Sequence, residues 1–200
     1  TSNEVIRIFS ECLGMGGNLL LDIGPKADGT ITAEQTKLLR DLGRWTRKHA
    51  EAIYGSLAGL PGGHFYGPST ISKDSTILYL FLTQVQGVPR DDKYLEEEAL
   101  EEAINEVLGK AGDEAIEIDG GSSMKYSVMV KGLRNEIVSA EVMGVEGRLN
   151  PKVVGRISWS SVPGTVFMEV PVDSLDSDVT VLKLKLKGPL SLYRGAGGFH

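Results

Sequence analysis

Asn18-Leu19-Leu20-Leu21-Asp22-Ile23, flanked by Gly16-Gly17 on one side and Gly24-Pro25 on the other, is the stretch on which the fold turns. It is short, apolar on both faces and bounded by chain-turning residues, which is how a strand covered by helices on both sides reads. Before it, Val5, Ile6, Phe9, Cys12 and Leu13 fall on one helical face, and Gly14-Met15-Gly16-Gly17 ends that helix. After it, Lys26 to Thr30 makes a tight loop around Asp28-Gly29. Thr32 and Gln35 then form a capping-box pair. The helix they open carries Leu38, Leu39, Leu42 and Trp45 on its inner stripe and runs to about Ala50, with Ile53-Tyr54-Gly55 closing the unit. A helix, a buried parallel strand and a helix belong to an α/β fold, yet one parallel strand cannot make a sheet.

From Pro61 onward the period changes to two. Strands are expected at 76–83, 115–118, 124–130, 138–143, 153–158, 165–170, 179–186 and 190–193, separated by turn signals such as Leu149-Asn150-Pro151 and Val162-Pro163-Gly164. Short antiparallel strands at this spacing indicate a β-sandwich. One segment interrupts them. Asp91 to Asp119 holds twelve Asp or Glu against two Lys, with Leu95, Ala99, Leu100, Ala103, Ile104, Val107 and Leu108 at helical spacing. It reads as an amphipathic helical insertion with its acidic face in water. The expected organisation is an α/β unit over 1–60 and a sandwich over 61–200, with the insertion near 91–119.

Composition excludes several classes. The 200 residues are 41% hydrophobic and 24% charged, which is globular rather than disordered. The formal net charge of −6 argues against a nucleic-acid footprint. The longest apolar runs, such as Ile77 to Leu82, fall far short of the roughly 18 residues of a membrane span. A single cysteine, Cys12, excludes an intrachain disulfide and a thiolate zinc site, and it reads as a small core residue.

The candidate motifs divide by their chemistry. Gly14-Met15-Gly16-Gly17 precedes its strand, the reverse of a dinucleotide fingerprint. Aligning Gly29 with the invariant glycine of a calcium loop puts Gly24, Lys26 and Gln35 at ligand positions, which rules out calcium. His49, His64 and His200 are scattered without metal-ligand spacing, and His49, at a helix end, reads as solvated or facing the helix dipole. The glutamates from Glu96 to Glu106 would be solvated on their helix, with no reason to act as acid and base. No metal or cofactor is expected. Asp22 stands apart. Alternation puts Asn18, Leu20, Asp22 and Gly24 on one face, and Asp22 lies at the carboxyl end of its strand, where α/β folds bind ligands. Two readings stay open: a carboxylate at a binding site, or one that caps the Gly24 to Gly29 loop.

The run from Gly16 to Ile31, followed by Leu42-Gly43-Arg44-Trp45 and Glu51-Ala52-Ile53-Tyr54-Gly55, resembles the α-L-fucosidases of glycoside hydrolase family 29. Lys131-Gly132-Leu133-Arg134-Asn135, Ile157-Ser158-Trp159 and Val179-Thr180-Val181-Leu182 look more loosely like the sandwich of bacterial members. The resemblance implies that residues 1–60 are the end of a (β/α)8-like barrel and that an antiparallel β-sandwich follows. It also implies a retaining mechanism with an aspartate nucleophile and a glutamate acid/base. Those residues lie upstream of this segment in the family, so no catalytic residue is expected here. Asn18 and Asp22 are the substrate-binding candidates, and Asp22 stands where many relatives carry asparagine.

The chain thus looks like the C-terminal portion of an exo-acting enzyme that removes terminal α-L-fucose. Its partners would be a fucosylated glycan and the N-terminal barrel of the same enzyme, in the periplasm or outside the cell. The isolated chain is expected to be inactive. The insertion is expected to shape leaving-group specificity if it packs at the barrel mouth. The rival reading is a carbohydrate-binding or structural sandwich module without its own catalysis. Such sites present exposed aromatics, whereas Trp159, in step with Ile157, reads as core.

Overall fold

The computed structural model describes residues 1–84 and 124–194. The insertion at 91–119, the strand expected at 115–118 and His200 lie outside the described residues. Three helices come first: α1 (Ser2–Gly14), α2 (Ala33–Lys48) and the single turn α3 (Ala50–Ile53). The strands are β1 (Leu57–Ala58), β2 (Ser69–Ile71), β3 (Ile77–Leu82), β4 (Lys125–Lys131), β5 (Ile137–Val142), β6 (Lys152–Val154), β7 (Thr165–Pro171) and β8 (Thr180–Leu186). They form a five-stranded sheet of order β1-β2-β3-β8-β5 and a three-stranded sheet of order β4-β7-β6. Every pairing is antiparallel.

The two sheets face each other across Leu78, Leu80, Leu82, Leu182, Leu184 and Leu186 on one side and Val128, Val130, Val166, Met168 and Val170 on the other. The odd-numbered residues of the same central strands point the other way, because successive side chains of a strand alternate. Tyr79, Phe81, Val179 and Val181 therefore meet Ile6 of α1, Trp45 of α2, and Ala52 and Ile53 of α3. The result is three layers: helices, large sheet, small sheet. Trp45 pins the outer layer, since its indole N–H donates to the Val179 carbonyl at 2.8 Å. Thr70 of β2 adds a second tie, its hydroxyl donating to the Ala52 carbonyl at 2.7 Å.

The buried parallel strand expected at Asn18–Ile23 is not formed among the described residues. The segment carries no strand pairing, and nearly all of it is exposed. Leu20 is 88% exposed, Ile23 39% and Leu21 37%. Its composition suits a strand, but no neighbouring strand among the described residues offers it a ladder. The strand with two buried faces is β3 instead, in the middle of an antiparallel sheet. The structure is thus mostly antiparallel sheet with few helices.

Two sandwich strands are shorter than expected. That at 153–158 stops after Val154, where Gly155 turns the chain at φ +77°. That at 190–193 reduces to an isolated bridge between Leu133 and Leu192, flanked by the hydrogen bond from the Tyr193 amide to the Gly132 carbonyl at 2.8 Å.

Candidate functional site

The exposed ribbon leads from α1 to α2. Asn18 and Asp22 both lie on it in contact with solvent, and neither has a hydrogen-bond or ion-pair partner among the described residues. The loop beyond them is closed by another carboxylate. Asp28 accepts from the Thr30 amide at 2.9 Å and from the Thr30 hydroxyl at 2.7 Å, and these bonds hold its carboxyl below the usual range. The Lys26 amide donates back to the Thr30 carbonyl at 2.7 Å. Asp22 therefore does not cap this loop; it lies exposed to solvent. Thr32 then caps α2, accepting from the Gln35 amide at 3.2 Å. The reciprocal half of the capping box is missing, for Gln35 Oε1 is buried without a partner.

A second cluster sits where α2 ends over the large sheet. His49 is fully buried against the Trp45 ring, with centroids 4.8 Å apart, so of its two expected roles the solvated one is wrong. Its Nδ1 lies 3.0 Å from the Trp45 carbonyl. A carbonyl only accepts, so Nδ1 carries the proton. Nε2 is buried with no partner. Burial first, and then the charge of neighbouring Lys48, lowers the pKa of His49 to about 4. Nearby, burial raises the Asp176 carboxyl, but the Lys48 ammonium at 2.6 Å and the Asp178 amide together turn the net direction down. With its ring sealed beneath Trp45, His49 cannot reach a substrate. It is a core residue that must stay neutral.

The third feature is a cleft of about 900 Å³ at one edge of the sandwich, between β5 and the long β6–β7 connection. Arg134 to Ala140 make one wall; Arg148 to Pro151, Val153, Arg156 and Ser160 to Pro163 make the other, and Leu133 and Val166 contribute apolar surface. Its polar groups differ in how committed they are. Asn135 is spent on the backbone, donating to the Pro189 carbonyl at 2.9 Å and accepting from the Ser191 amide at 2.6 Å. Glu136 is paired with Lys187 at 2.8 Å. Arg134 stacks over the Tyr193 ring at 5.3 Å. Arg148 and Arg156 have no ion-pair partner among the described residues.

The β6–β7 connection is held in place from its far end. Gly164 sits at φ +84°, and a Cβ there would stand 2.6 Å from the Val154 carbonyl oxygen, so glycine is required for the close approach. The connection turns at Ile157 to Ser160, closed by the Ser160 amide donating to the Ile157 carbonyl at 3.2 Å. Trp159 stands in that turn at 85% exposure, and Ile157 is exposed with it. The expectation that Trp159 is core is overturned. The alternation that suggested it ends at Gly155, and a side chain in a turn has no sheet face to point into. The sequence does hold a signal for this, since Ser160-Ser161 and Pro163-Gly164 follow the tryptophan with no apolar partner at period two.

Among the described residues no group of three or more His, Cys, Asp or Glu side chains is placed to hold a metal ion. None of the described helices is long and apolar enough to cross a membrane.

Residues 1–51 match the family described as alpha-L-fucosidase. The plasma alpha-L-fucosidase of Homo sapiens is 43% identical over 54 residues, which is 27% of this chain and 12% of that protein. The alpha-L-fucosidase of Branchiostoma floridae is 38% identical over 52 residues, 26% of this chain and 12% of that one. The matched segment thus spans about an eighth of the length of these curated relatives.

Solved structures extend the likeness across almost all of the chain. Alpha-L-fucosidase isoenzyme 1 of Paenibacillus thiaminolyticus superposes with a TM-score of 0.61 at 22% identity, covering 94% of this chain and 35% of that one. A GH29 alpha-L-fucosidase of Bacteroides thetaiotaomicron gives 0.61 at 19% identity, covering 98% of this chain and 33% of that one. At such identity the likeness is one of fold. The chain resembles α-L-fucosidases by sequence in its first quarter and by fold over almost all its length, and it spans about a third of the solved fucosidase chains.

Proposed function

We propose that this chain serves as the C-terminal portion of a retaining, exo-acting α-L-fucosidase that removes terminal α-L-fucose from glycoconjugates. The observation that carries the proposal is the ribbon at Asn18–Ile23. It lies inside the family-matched segment, it is strand-like in composition, and its Leu20, Leu21 and Ile23 side chains face solvent. Exposed strand-like backbone of this kind gains most by joining a sheet edge supplied by other residues. In this reading the ribbon completes a (β/α)8-like barrel, and Asn18 and Asp22 come to the substrate end of its strand. The nucleophile and the acid/base belong to the barrel that precedes it, so no residue of this chain has a catalytic role. The enzyme would act in the periplasm or outside the cell on a fucosylated glycan.

Incubating the purified 200-residue chain with a chromogenic α-L-fucoside tests this directly. No turnover is expected, and turnover that follows the folded chain through purification would refute the proposal. In the enzyme with its barrel, Asp22→Asn is expected to change KM for the fucoside while leaving the melting temperature within about 2 °C, since the side chain has no hydrogen-bond or ion-pair partner among the described residues.

The exposure of Trp159 favours a second reading, in which the sandwich holds carbohydrate by itself.

A further inference from the structure

We infer that the cleft between β5 and the β6–β7 connection is a binding site for an acidic carbohydrate, a sugar bearing a carboxylate or a sulfate, with Arg148 and Arg156 holding the anion and Trp159 stacking on the ring. The inference rests on the second reading above and not on the fucosidase one. Three observations combine. The cleft, at about 900 Å³, has room for a disaccharide. Its charge is unbalanced in one direction. Among the described lining residues the sole carboxylate is Glu136, and Lys187 neutralises it, whereas Arg148 and Arg156 are unpaired. A guanidinium fork matches the planar geometry of a carboxylate and the oxygens of a sulfate, which a point charge such as Lys does not.

The third observation is Trp159 itself. A large ring left 85% exposed in the turn between Arg156 and Ser160, both of which line the cleft, presents an apolar face with an N–H at its edge, suited to the C–H face of a pyranose. The turn that carries it also brings Arg156 and Ser161 to the cleft, so stacking and ion pairing arise from one loop. Gly164 fixes where that loop returns to β7. Sequence distance does not separate the two arginines' roles from the fold. Arg148 comes from the connection after β5 and Arg156 from that after β6, and only the closing of the two sheets sets them around one space.

Titration calorimetry of the full 200-residue chain separates the possibilities. The probes are a glucuronate-terminated disaccharide, a sulfated disaccharide, uncharged lactose and inorganic sulfate. At least one acidic disaccharide is expected to bind about tenfold tighter than lactose and tighter than inorganic sulfate, with affinity falling as salt rises. Which of the two acidic sugars wins identifies carboxylate or sulfate as the group recognised. Arg148→Gln combined with Arg156→Gln is expected to weaken binding about tenfold, and Trp159→Ala by a similar factor.

All three side chains lie on the surface, so the melting temperature should hold and loss of fold can be told from loss of contact. As a second readout, the emission of exposed Trp159 should shift on binding while that of buried Trp45 does not. Equal binding of lactose, lost in Trp159→Ala, would overturn the acidic preference but keep a carbohydrate-binding sandwich. Binding of inorganic sulfate as tight as that of the sugars would reduce the cleft to an anion site. No binding of any probe at millimolar concentration would remove both.

Discussion

Two stretches of this chain have nearly the same texture and opposite fates. Leu19-Leu20-Leu21-Asp22-Ile23 and Ile77-Leu78-Tyr79-Leu80-Phe81-Leu82 are both short apolar runs between turn residues. The second is β3, hydrogen-bonded to β2 on one edge and β8 on the other, with leucines on the small sheet and Tyr79 and Phe81 beneath the helices. The first lies open to water. The difference is not in the side chains. β3 can be apolar on both faces because α1, α2 and α3 cover the side that the small sheet does not, and the ribbon finds no such pair of covers among the described residues. A continuous apolar run thus reports that two covers are needed without saying which elements provide them.

Substitutions give the sharpest test of that contrast. Phe81→Ala removes a fully buried ring packed on Trp45 and is expected to cost about 3–5 kcal/mol in urea unfolding. Leu20→Ala should change stability by less than about 0.5 kcal/mol in the same chain. A cost for Leu20→Ala approaching that for Phe81→Ala would show the ribbon packed in solution and end the comparison.

Acid probes the layer that makes the difference. The folded chain holds His49 neutral, at a pKa of about 4 against an ordinary 6.5, so between those values the unfolded chain binds a proton that the folded one refuses. This contribution to stability is complete above about pH 6.5 and is lost as pH falls toward 4, by on the order of 3 kcal/mol in all. Urea midpoints measured from pH 7.5 to 4.5 should fall accordingly. His49→Gln should flatten the slope, and an unchanged slope would place His49 in water.

A smaller effect is expected away from the helical layer. Gly164→Ala combines a left-handed φ with a clash against the Val154 carbonyl, and should cost about 1–3 kcal/mol while loosening the loop that carries Trp159. Hydrogen exchange compares the two stretches with no substitution at all. Amides of 18–23 should exchange at close to unprotected rates, and those of 78–82 only with global opening.

Much of the fold was legible because it follows from local pattern. The period-two alternation located β3, β4, β5, β7 and β8 to within a residue or two, and the amphipathic stripe with its Thr32 cap located α2. The errors share one cause. The core reading of Trp159 and the solvated reading of His49 both fail on burial, and Asn18–Ile23 finds no cover among the described residues, because burial is set by what packs against a residue rather than by its neighbours in the chain. His49 was read from its place at a helix end, yet the sheet beneath that end seals it. Trp159 was read from alternation with Ile157, yet Gly155 had already turned the chain out of the sheet.

The candidate sites divide in the same way. Asp22 could be singled out in the sequence because a carboxylate inside an apolar run is locally anomalous. Arg148 and Arg156 could not, since an arginine in a polar loop is ordinary until the opposite wall is known.

What the sequence alone determined is most of the longer elements, the antiparallel character of the strands after Pro61 and the resemblance of its first quarter to the α-L-fucosidases. These depend on side-chain periodicity and turn chemistry, which act over a few residues. Only the tertiary structure decided which strand lies buried between two layers, which histidine is kept from water and which arginines share a cleft. Each of those depends on groups brought together from distant parts of the chain, and the energy of burial belongs to the contact, not to either segment that makes it.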